Sequence, residues 1–597
     1  MNVMTKTVAA QEVDPITLQV IRGSFETIAE EMGHVLYRMS FSSIIRESQD
    51  LGAGLFDTDY NTLCESESTP MHIGSIPGYL RGIEETLEDG EWYEGDVVVH
   101  NHPYHGASHT PDLAIVVPVF YEGRLVGFAG NTAHHVDIGA ATPGLIIDVP
   151  DVYAEGMLLA GVKLYRKGRA NTAMWNFIRN NSRAAQQLVS DIEAQVASAR
   201  LGARRFVELI EKYGEEVVFG AANQLMAYSE RMTRQRLTEI PDGEYVAEGW
   251  LDDDGRNRDR QLKVKVTVRV SGDEVEVDLT GSADQTPTAY NVPFEGSTKV
   301  AAYAAFRKLL LDTATSDIRV PSNEGSFRPV KVTAPLGSIF NPRAPASAEA
   351  RFTQCNRMID LIIRALAPVL PEQVIAGSSA SISFAAYSGV RPSGEYWVFL
   401  EVNEGAYGGR PRSDGPDAID NLMANTRNNP LEDLAMHIPM ICDRYELRDD
   451  VPPGAGEFRG GIGVVKAQRV LTPGFITHES ERHTEAPWGI FGGHDGEVGK
   501  CLLYNTDAPD DPAQEMHSKF SGLEVRANDV MAYYSPNGGG FGDPLNRPAQ
   551  KVLEDVLDGF VPLDQARDAY GVIIDLAEET VDLEATNRQR EKLRKKQ

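Results

Sequence analysis

The stretch Leu113–His135, LAIVVPVFYEGRLVGFAGNTAHH, contains two runs of β-branched and aromatic residues separated by Glu122-Gly123. Apolar runs of this kind, interrupted by glycine and proline, are typical of buried strands joined by tight turns. The preceding segment Gly95–Tyr104, GDVVVHNHPY, has the same character. The sequence therefore predicts neighbouring strands whose ends carry two histidine runs, within NHPYHGASHTPD (101–112) and NTAHH (131–135).

A helix is predicted ahead of these strands. Asp14 can cap it and Pro15 suits its first position. Apolar residues then recur at roughly helical spacing, at Ile16, Val20, Phe25, Ile28, Met32 and Leu36. After this helix, AGLFDTDYNTL (53–63) predicts two short strands around an Asp-Thr-Asp turn, so Asp50 lies just before a hairpin.

The chain of 597 residues is longer than one hydrophobic core usually supports, so several units are expected. The pattern predicts an α+β, multi-domain chain of mixed α/β character. Four units are predicted from changes in this pattern: an N-terminal unit at 1–236 that carries both histidine runs, a mixed α/β unit at 237–400, a Gly-rich and β-rich C-terminal unit at 401–545, and a helical tail at 546–597.

Particular elements support this division. A long helix is expected from Ser182 to Tyr213, with Gly214 as its stop. The second unit opens with a β-hairpin in QLKVKVTVRVSGDEVEVDLTG (261–281), where apolar and polar residues alternate on both sides of a Ser-Gly-Asp turn. Two further helices are predicted over 297–311 and 352–370.

Composition excludes several classes of function. With 57 basic against 87 acidic residues the formal charge is -30, which opposes binding to nucleic acids and anionic membranes. The first residues, MNVMTKTVAAQEVDP, hold no apolar run long enough for a signal peptide, and no run of about 18 apolar residues occurs. A cytoplasmic protein is therefore expected. The four cysteines lack the paired spacing of metal or redox motifs and are interpreted as reduced thiols.

The histidine runs contain a candidate metal site. His109, Asp112 and His134, with Asp50 upstream, offer imidazole nitrogens and carboxylate oxygens suited to zinc, manganese or iron. An open position on such an ion lets bound water become hydroxide near neutral pH. In the structural alternative, these side chains only form hydrogen bonds in Gly-rich turns.

Other histidines nearby are assigned supporting roles. His135 and Asp137 are candidates to orient a ligand, because a histidine that binds a metal usually donates its other N–H to an acceptor. His102 and His105 could bind substrate, although a solvated or structural role is favoured for both.

The glycine clusters EFRGGIGVV (457–465) and PNGGGFGDP (536–544) could bring backbone N–H groups close to an anion. Neither fits the phosphate-binding pattern G-x-x-x-x-G-K-[ST]. The segment GHDGEVGKC also departs from it, because His494 occupies the position of the first glycine. No G-x-S-x-G elbow occurs either. The clusters are therefore interpreted as sharp turns, and the sequence predicts neither an ATP site nor a serine nucleophile.

Taken in order, these segments resemble the hydantoinase B/oxoprolinase family, which includes subunits of acetone carboxylase and caprolactamase. The resemblance covers nearly the whole chain. It is carried by DPITLQVIRGSFETIAEEMG, IRESQDLGAGLFD, MHIGSIP, NHPYHGASHTPDLAIVVPVF, NTAHHVDIGA, PSNEGSFRPVKV, NTRNNPLE, FRGGIGVV and PNGGGFGDP. The resemblance implies that Asp50, His109, Asp112 and His134 are metal ligands, with zinc expected first and manganese or iron as alternatives.

The resemblance also implies a hetero-oligomer with a separate hydantoinase A-like ATPase subunit. In that arrangement the partner uses ATP to phosphorylate a cyclic amide such as a hydantoin, an oxoproline or another lactam. Water activated by the metal then attacks, and His135 or Asp137 tunes a ligand or transfers protons. Two alternatives stay open at this stage: a subunit of an ATP-dependent ketone carboxylase, and a non-catalytic scaffold subunit with a structural metal.

Overall fold

The structure is a computed structural model that describes residues 12–66, 68–72, 74–87, 90–311, 319–380 and 383–596. The prediction that the first residues form no signal peptide concerns residues 1–15, of which residues 1–11 lie outside the described residues. The described α-helices are α1 (Pro15–Met39), α2 (Ser43–Arg46), α3 (Ile76–Thr86), α4 (Thr172–Asn180), α5 (Ala185–Tyr213), α6 (Glu215–Leu237), α7 (Lys299–Leu310), α8 (Phe352–Leu366), α9 (Leu431–His437), α10 (Ala549–Leu557), α11 (Leu563–Asp568) and α12 (Leu583–Arg594).

A seven-stranded sheet forms the N-terminal part, in the order β2-β1-β5-β4-β3-β6-β7. Its strands are β1 (Leu51–Phe56), β2 (Thr62–Glu65), β3 (Val97–His100), β4 (Asp112–Tyr121), β5 (Arg124–His134), β6 (Val162–Arg166) and β7 (Arg169–Ala170). The apolar stretch Leu113–His135 supplies most of the antiparallel pair β4 and β5, and β1 with β2 is the predicted short hairpin. Both histidine runs therefore lie at strand ends, as predicted.

The two long helices cover this sheet. The Asp14 carboxylate accepts the backbone N–H groups of Ile16 and Thr17, which confirms the predicted start of α1. Helix α5 ends at Gly214, where φ is +86°, a conformation that glycine adopts without a steric penalty. Helices α1 and α5 contact each other, and their apolar faces share one core with β1, β4 and β5.

A second sheet has the order β11-β10-β9-β8. It contains β8 (Gly243–Leu251), β9 (Leu262–Ser271), β10 (Glu274–Asp278) and β11 (Val330–Thr333). The predicted hairpin is the antiparallel pair β9 and β10. Helices α7 and α8 confirm the two predicted helices, but α8 ends at Leu366 rather than 370. Pro368 explains this earlier end, because proline has no backbone N–H to donate to the carbonyl oxygen of Arg364.

Two more sheets form the β-rich C-terminal part. The order of one is β13-β12-β16-β19, and that of the other is β14-β15-β20-β17-β18. Their strands are β12 (Phe384–Val390), β13 (Tyr396–Val402), β14 (Met440–Leu447), β15 (Val464–Val470), β16 (Gly474–Glu479), β17 (Lys500–Asn505), β18 (Gln514–Met516), β19 (Lys519–Val525) and β20 (Asp529–Tyr534). The predicted boundary between residues 400 and 401 lies inside β13, whose sheet takes strands from both sides of that boundary. The division into units stays a prediction.

The glycine clusters serve close packing. A Cβ atom at Gly460 would lie 1.9 Å from the carbonyl oxygen of Gly538, and one at Gly538 would lie 2.1 Å from that of Tyr407. Only glycine permits such backbone contacts. These contacts support the interpretation of both clusters as structural turns.

The tail is less uniform than predicted. Besides α10, α11 and α12 it contains a two-stranded antiparallel sheet of β21 (Ile574–Asp575) and β22 (Thr580–Val581), so the expectation of a helical tail was incomplete. A strand pair this short carries no periodic signal in the sequence. In the part of the chain that the structure describes, no helix has both the length and the apolar character needed to cross a membrane.

Candidate metal centre

Three buried side chains meet at the ends of β4 and β5. One ligand atom from each of His109, Asp112 and His134 lies within 4.8 Å of the others. The Asp112 Oδ1 atom is 3.0 Å from His109 Nε2 and 3.2 Å from His134 Nδ1, and the two ring nitrogens are 3.2 Å apart. The structure thus brings together three of the four predicted ligands.

The sheet register explains this convergence. Asp112 is the first residue of β4 and pairs directly with His134, the last residue of β5. Paired residues on neighbouring antiparallel strands place their side chains on the same face. His109 lies in the turn before β4, where its carbonyl oxygen accepts the N–H of Asp112. Two strand ends and one turn therefore set the positions of all three groups.

The protonation states suit a divalent cation. Burial lowers the pKa of His109 to about 4, and the neighbouring Arg351 acts in the same direction, so the ring is neutral at pH 7. Burial acts to raise the pKa of Asp112, but the charged guanidinium of Arg351 beside it holds the pKa of this carboxyl well below its usual value. Neutral imidazole and ionised carboxylate are the forms that bind metals.

Hydrogen bonds also leave ligand atoms free. The His109 Nδ1 atom lies 2.8 Å from the carbonyl oxygen of Glu349, which can only accept, so Nδ1 carries the proton and Nε2 is available. In the described structure, the buried Nε2 of His134 has no hydrogen-bond partner. The unprotonated Nε2 of His109 and the Oδ1 atom of Asp112 are both acceptors, and their separation of 3.0 Å fits a metal bound by nitrogen and oxygen.

Asp50 lies next to this group without joining it. Its carbonyl oxygen accepts the N–H of His134, but its carboxylate Oδ1 lies 3.0 Å from Nε2 of His72. The residue before it, Gln49, has a positive φ of 57°, which is rare outside glycine and turns the chain sharply into β1. Asp50 therefore stays a predicted ligand whose carboxylate pairs with His72 in this structure.

His72 is a site residue that the sequence patterns did not reveal. It is buried at the end of the short 3-10 helix Pro70–His72. A Cβ atom at Gly52 would lie 2.6 Å from its Cβ, so glycine in β1 makes room for the ring. The available signal was the pair of glycines in LGAG (51–54), an unusual composition for a strand interior.

His135 and Asp137 contact other parts of the structure. His135 directly follows β5, and its ring faces α5, where its Nε2 lies 2.9 Å from Gln195 Oε1. The Asp137 carboxylate pairs with the Arg183 guanidinium at 3.1 Å and accepts the backbone N–H of Arg183. Neither side chain is among the three converging ligands, and their predicted catalytic roles stay predictions.

The other histidines of the first run form a separate pair. The rings of His102 and His105 are 4.7 Å apart, and His105 Nδ1 lies 3.1 Å from Glu85 Oε2. The Nδ1 atom of His102 accepts the backbone N–H of Tyr104. These contacts agree with the structural role favoured for both.

Distant residues complete the surroundings of the centre. Arg351 Nη2 lies 2.8 Å from Asp112 Oδ2, and the Phe384 ring on β12 is 5.9 Å from the His134 ring. These residues lie more than 200 positions from the histidine runs, and no spacing in the sequence connects them. The centre therefore lies where the N-terminal sheet meets α8 and the β12 sheet.

The fold and this centre define a multi-domain α+β protein with a buried candidate metal site, which confirms the predicted fold class. The chain belongs to the hydantoinase B/oxoprolinase family, whose sequence model matches residues 14–544.

Individual relatives agree with this membership. A protein from Pseudomonas sp. (strain NS671), provisionally named as one of the subunits of a D-/L-hydantoinase, is 45% identical over 97% of this chain and 98% of its own length. The crystal structure of ATP-dependent caprolactamase from Pseudomonas jessenii superimposes with a TM-score of 0.88, at 28% identity, over 97% of this chain and all of that one. Nucleotide-free acetone carboxylase also has a TM-score of 0.88, over 99% of this chain and 84% of that chain, and at 19% identity shows a shared fold.

Proposed function

We propose that this chain is the metal-binding subunit of an ATP-dependent hydrolase of cyclic amides, and that it works with a separate ATPase subunit. The observation that carries the proposal is the convergence of His109, Asp112 and His134 in a buried cluster. Support for the reaction class comes from relatives named as a hydantoinase subunit and a caprolactamase.

Four residues of this chain would hold the ion. His109, Asp112 and His134 already converge, and Asp50, which directly precedes β1, is the proposed fourth ligand, with His72 holding its carboxylate. Two histidines and two carboxylates suit zinc first, with manganese or iron as alternatives. When bound, such an ion polarises a carbonyl and activates water near neutral pH.

The ATPase subunit is proposed to activate the amide for attack. An unstrained amide resists attack by water because resonance stabilises its C–N bond. Phosphorylation of the amide oxygen by the ATPase subunit would create a better electrophile and a good leaving group. The absence of a phosphate-binding motif from this sequence agrees with ATP being used elsewhere.

The buried surroundings define the tasks of the protein side chains. His109 and Asp112 present a neutral ring and an anion without a change of protonation at pH 7, and both side chains are buried. His135 and Asp137 are proposed to transfer protons or to hold the end of β5. Their contacts with Gln195 and Arg183 favour the second task.

The first test is elemental analysis of protein purified without chelator. We expect near-stoichiometric metal in the wild type and none in His109→Ala or Asp112→Ala. His105→Ala is the matched control, because it removes a half-exposed histidine of the same run that contacts Glu85 instead of the cluster. A folded wild type without metal, even after reconstitution with zinc, manganese or iron, would overturn the metal site.

The second test adds the ATPase subunit. We expect ATP-dependent ring opening of one compound from a panel of hydantoins, oxoproline and lactams, and loss of this activity in His109→Ala with assembly retained. Incorporation of labelled bicarbonate into a ketone would instead identify a carboxylase. Loss of assembly together with metal, without any ring opening by the wild type, would identify a scaffold.

A further inference from the structure

The turn that carries His109 is joined to a distant segment, Ser347–Arg351, which precedes α8. His109 Nδ1 donates to the carbonyl oxygen of Glu349 at 2.8 Å, and Arg351 Nη2 donates to Asp112 Oδ2 at the same distance. All of these groups are buried. Two of the three converging ligands are therefore held by one stretch of chain about 240 positions away.

The buried carboxylate of Glu155 reinforces this junction. One of its oxygens accepts the hydroxyl of Thr110, in the His109 turn. The other accepts the Ser347 hydroxyl and the Ala348 N–H, both at 2.5 Å. The same glutamate thus joins the two segments directly beside the ligands.

Arg351 acts on one oxygen of Asp112. That oxygen, Oδ2, accepts from Arg351 at 2.8 Å and from the Ser108 hydroxyl at 2.5 Å. The other oxygen, Oδ1, is the one that faces His109 and His134. Occupation of Oδ2 by two donors leaves a single oxygen directed at the candidate metal position.

The guanidinium of Arg351 forms few other polar contacts. Its side chain is 5% exposed, and its Nε has no hydrogen-bond partner within the described ranges. The contact with Asp112 is its only side-chain hydrogen bond there. A buried charge is tolerated only when it is paired, so Asp112 accounts for the position of this arginine.

We propose that Arg351 is a positioning residue of the metal centre: it holds Asp112 so that one carboxylate oxygen binds the ion, and Glu349 holds His109 through its carbonyl. This inference rests on the proposed metal site. It adds that the centre is complete only when the segment Ser347–Arg351 is packed against the N-terminal sheet. Metal affinity is thereby coupled to contact between two distant parts of the chain.

The test is the metal dissociation constant of Arg351→Met, measured by competition with a chromogenic chelator for zinc. Loss of a residue that orients a ligand typically weakens binding by about 10–100-fold, and we expect a loss in this range. Arg351→Lys should recover part of it, because lysine restores the charge without the planar fork of donors. Ser108→Ala, which removes the second donor to Oδ2, should weaken binding in the same direction.

A spectroscopic measurement separates positioning from general stability. Cobalt-substituted Arg351→Met should show altered visible absorption, since a carboxylate free to bind through both oxygens changes the coordination. Arg482→Met is the matched control: it removes a fully buried arginine paired with Asp360 at 2.7 Å, and neither residue contacts the three ligands. This control should lose stability and keep wild-type metal affinity.

The outcomes of these experiments distinguish failure of the positioning role of Arg351 from failure of the proposed metal site. Wild-type zinc affinity and an unchanged cobalt spectrum in Arg351→Met, with metal bound by the wild type, would overturn the positioning role alone. If Arg351→Met does not fold, the same comparison is made with Arg351→Lys and Ser108→Ala, and unchanged affinity in both overturns it. A wild type that binds no metal overturns the metal site and this inference together.

Discussion

Asp112 and His134 are paired residues of β4 and β5, and their side chains meet with 3.2 Å between Oδ1 and Nδ1. The pairing places a carboxylate and an imidazole side by side at the ends of two neighbouring inner strands. Asp112 also forms the ion pair with Arg351, so this residue joins the strand register, the candidate metal centre and the segment before α8.

Asp112→Asn is expected to separate these contributions. The amide is close in shape but carries no charge, so metal should be lost and Arg351 should lack an anionic partner. Breaking a buried ion pair in this way costs about 3–5 kcal/mol of stability. Chemical denaturation of the metal-free variant measures this cost, and metal analysis measures the other effect. A variant with wild-type stability would show that the pair contributes nothing to folding.

The acid sensitivity of the fold is predicted from His100. Its Nδ1 accepts the Gly161 N–H, and its Nε2 donates to the carbonyl oxygen of His105, so protonation of Nδ1 would break the first contact. Burial lowers the pKa of His100 to about 3, below the ordinary value of 6.5. Between pH 3 and pH 6.5 this histidine is therefore protonated in the unfolded chain and neutral in the folded protein. Stability from this group is present above pH 6.5 and falls as the pH drops towards 3, by about 1.4 kcal/mol per pH unit.

Urea denaturation of metal-free protein between about pH 7 and pH 5 measures this dependence. His100→Gln should show a shallower loss of stability than the wild type. His105→Gln is the control, because its ring is partly exposed and should leave the slope unchanged. Equal slopes for wild type and His100→Gln would contradict the prediction.

Alanine substitutions at Gly52 and Gly23 are predicted to change the stability of the protein in opposite directions. Gly52→Ala places a methyl group 2.6 Å from His72 Cβ and should destabilise the protein by about 1–3 kcal/mol. Gly23→Ala on α1 meets no atom within 4 Å and should stabilise it by about 0.5–1 kcal/mol, because alanine loses less backbone entropy in a helix. Thermal unfolding compares the two, and a stable Gly52→Ala would exclude a tight contact at His72.

Local sequence patterns predicted many of the helices and strands, whereas several residues around the candidate metal centre come from distant parts of the chain. The strands and the histidine turn follow from apolar runs and tight-turn residues that lie close together in the chain, so the convergence of His109, Asp112 and His134 was accessible from the sequence. His72, Arg351 and Phe384 were not, because each reaches the centre through packing between distant elements. The short end of α8 could have been predicted from Pro368, whereas the β21–β22 pair is too short to leave a signal.

The pair of Asp50 and His72 yields the last prediction. If Asp50 is a ligand, His72 is the group that orients it, because a carboxylate that binds metal is usually held by a second hydrogen-bond partner. His72→Ala should then weaken metal binding by about 10–100-fold, and Asp50→Ala by at least as much. His478→Ala, a buried histidine in β16 that contacts Cys501, is the matched control for loss of a core ring and should leave affinity unchanged. Competition with a chelator measures all three variants. Wild-type affinity in both Asp50→Ala and His72→Ala would limit the protein ligands to His109, Asp112 and His134.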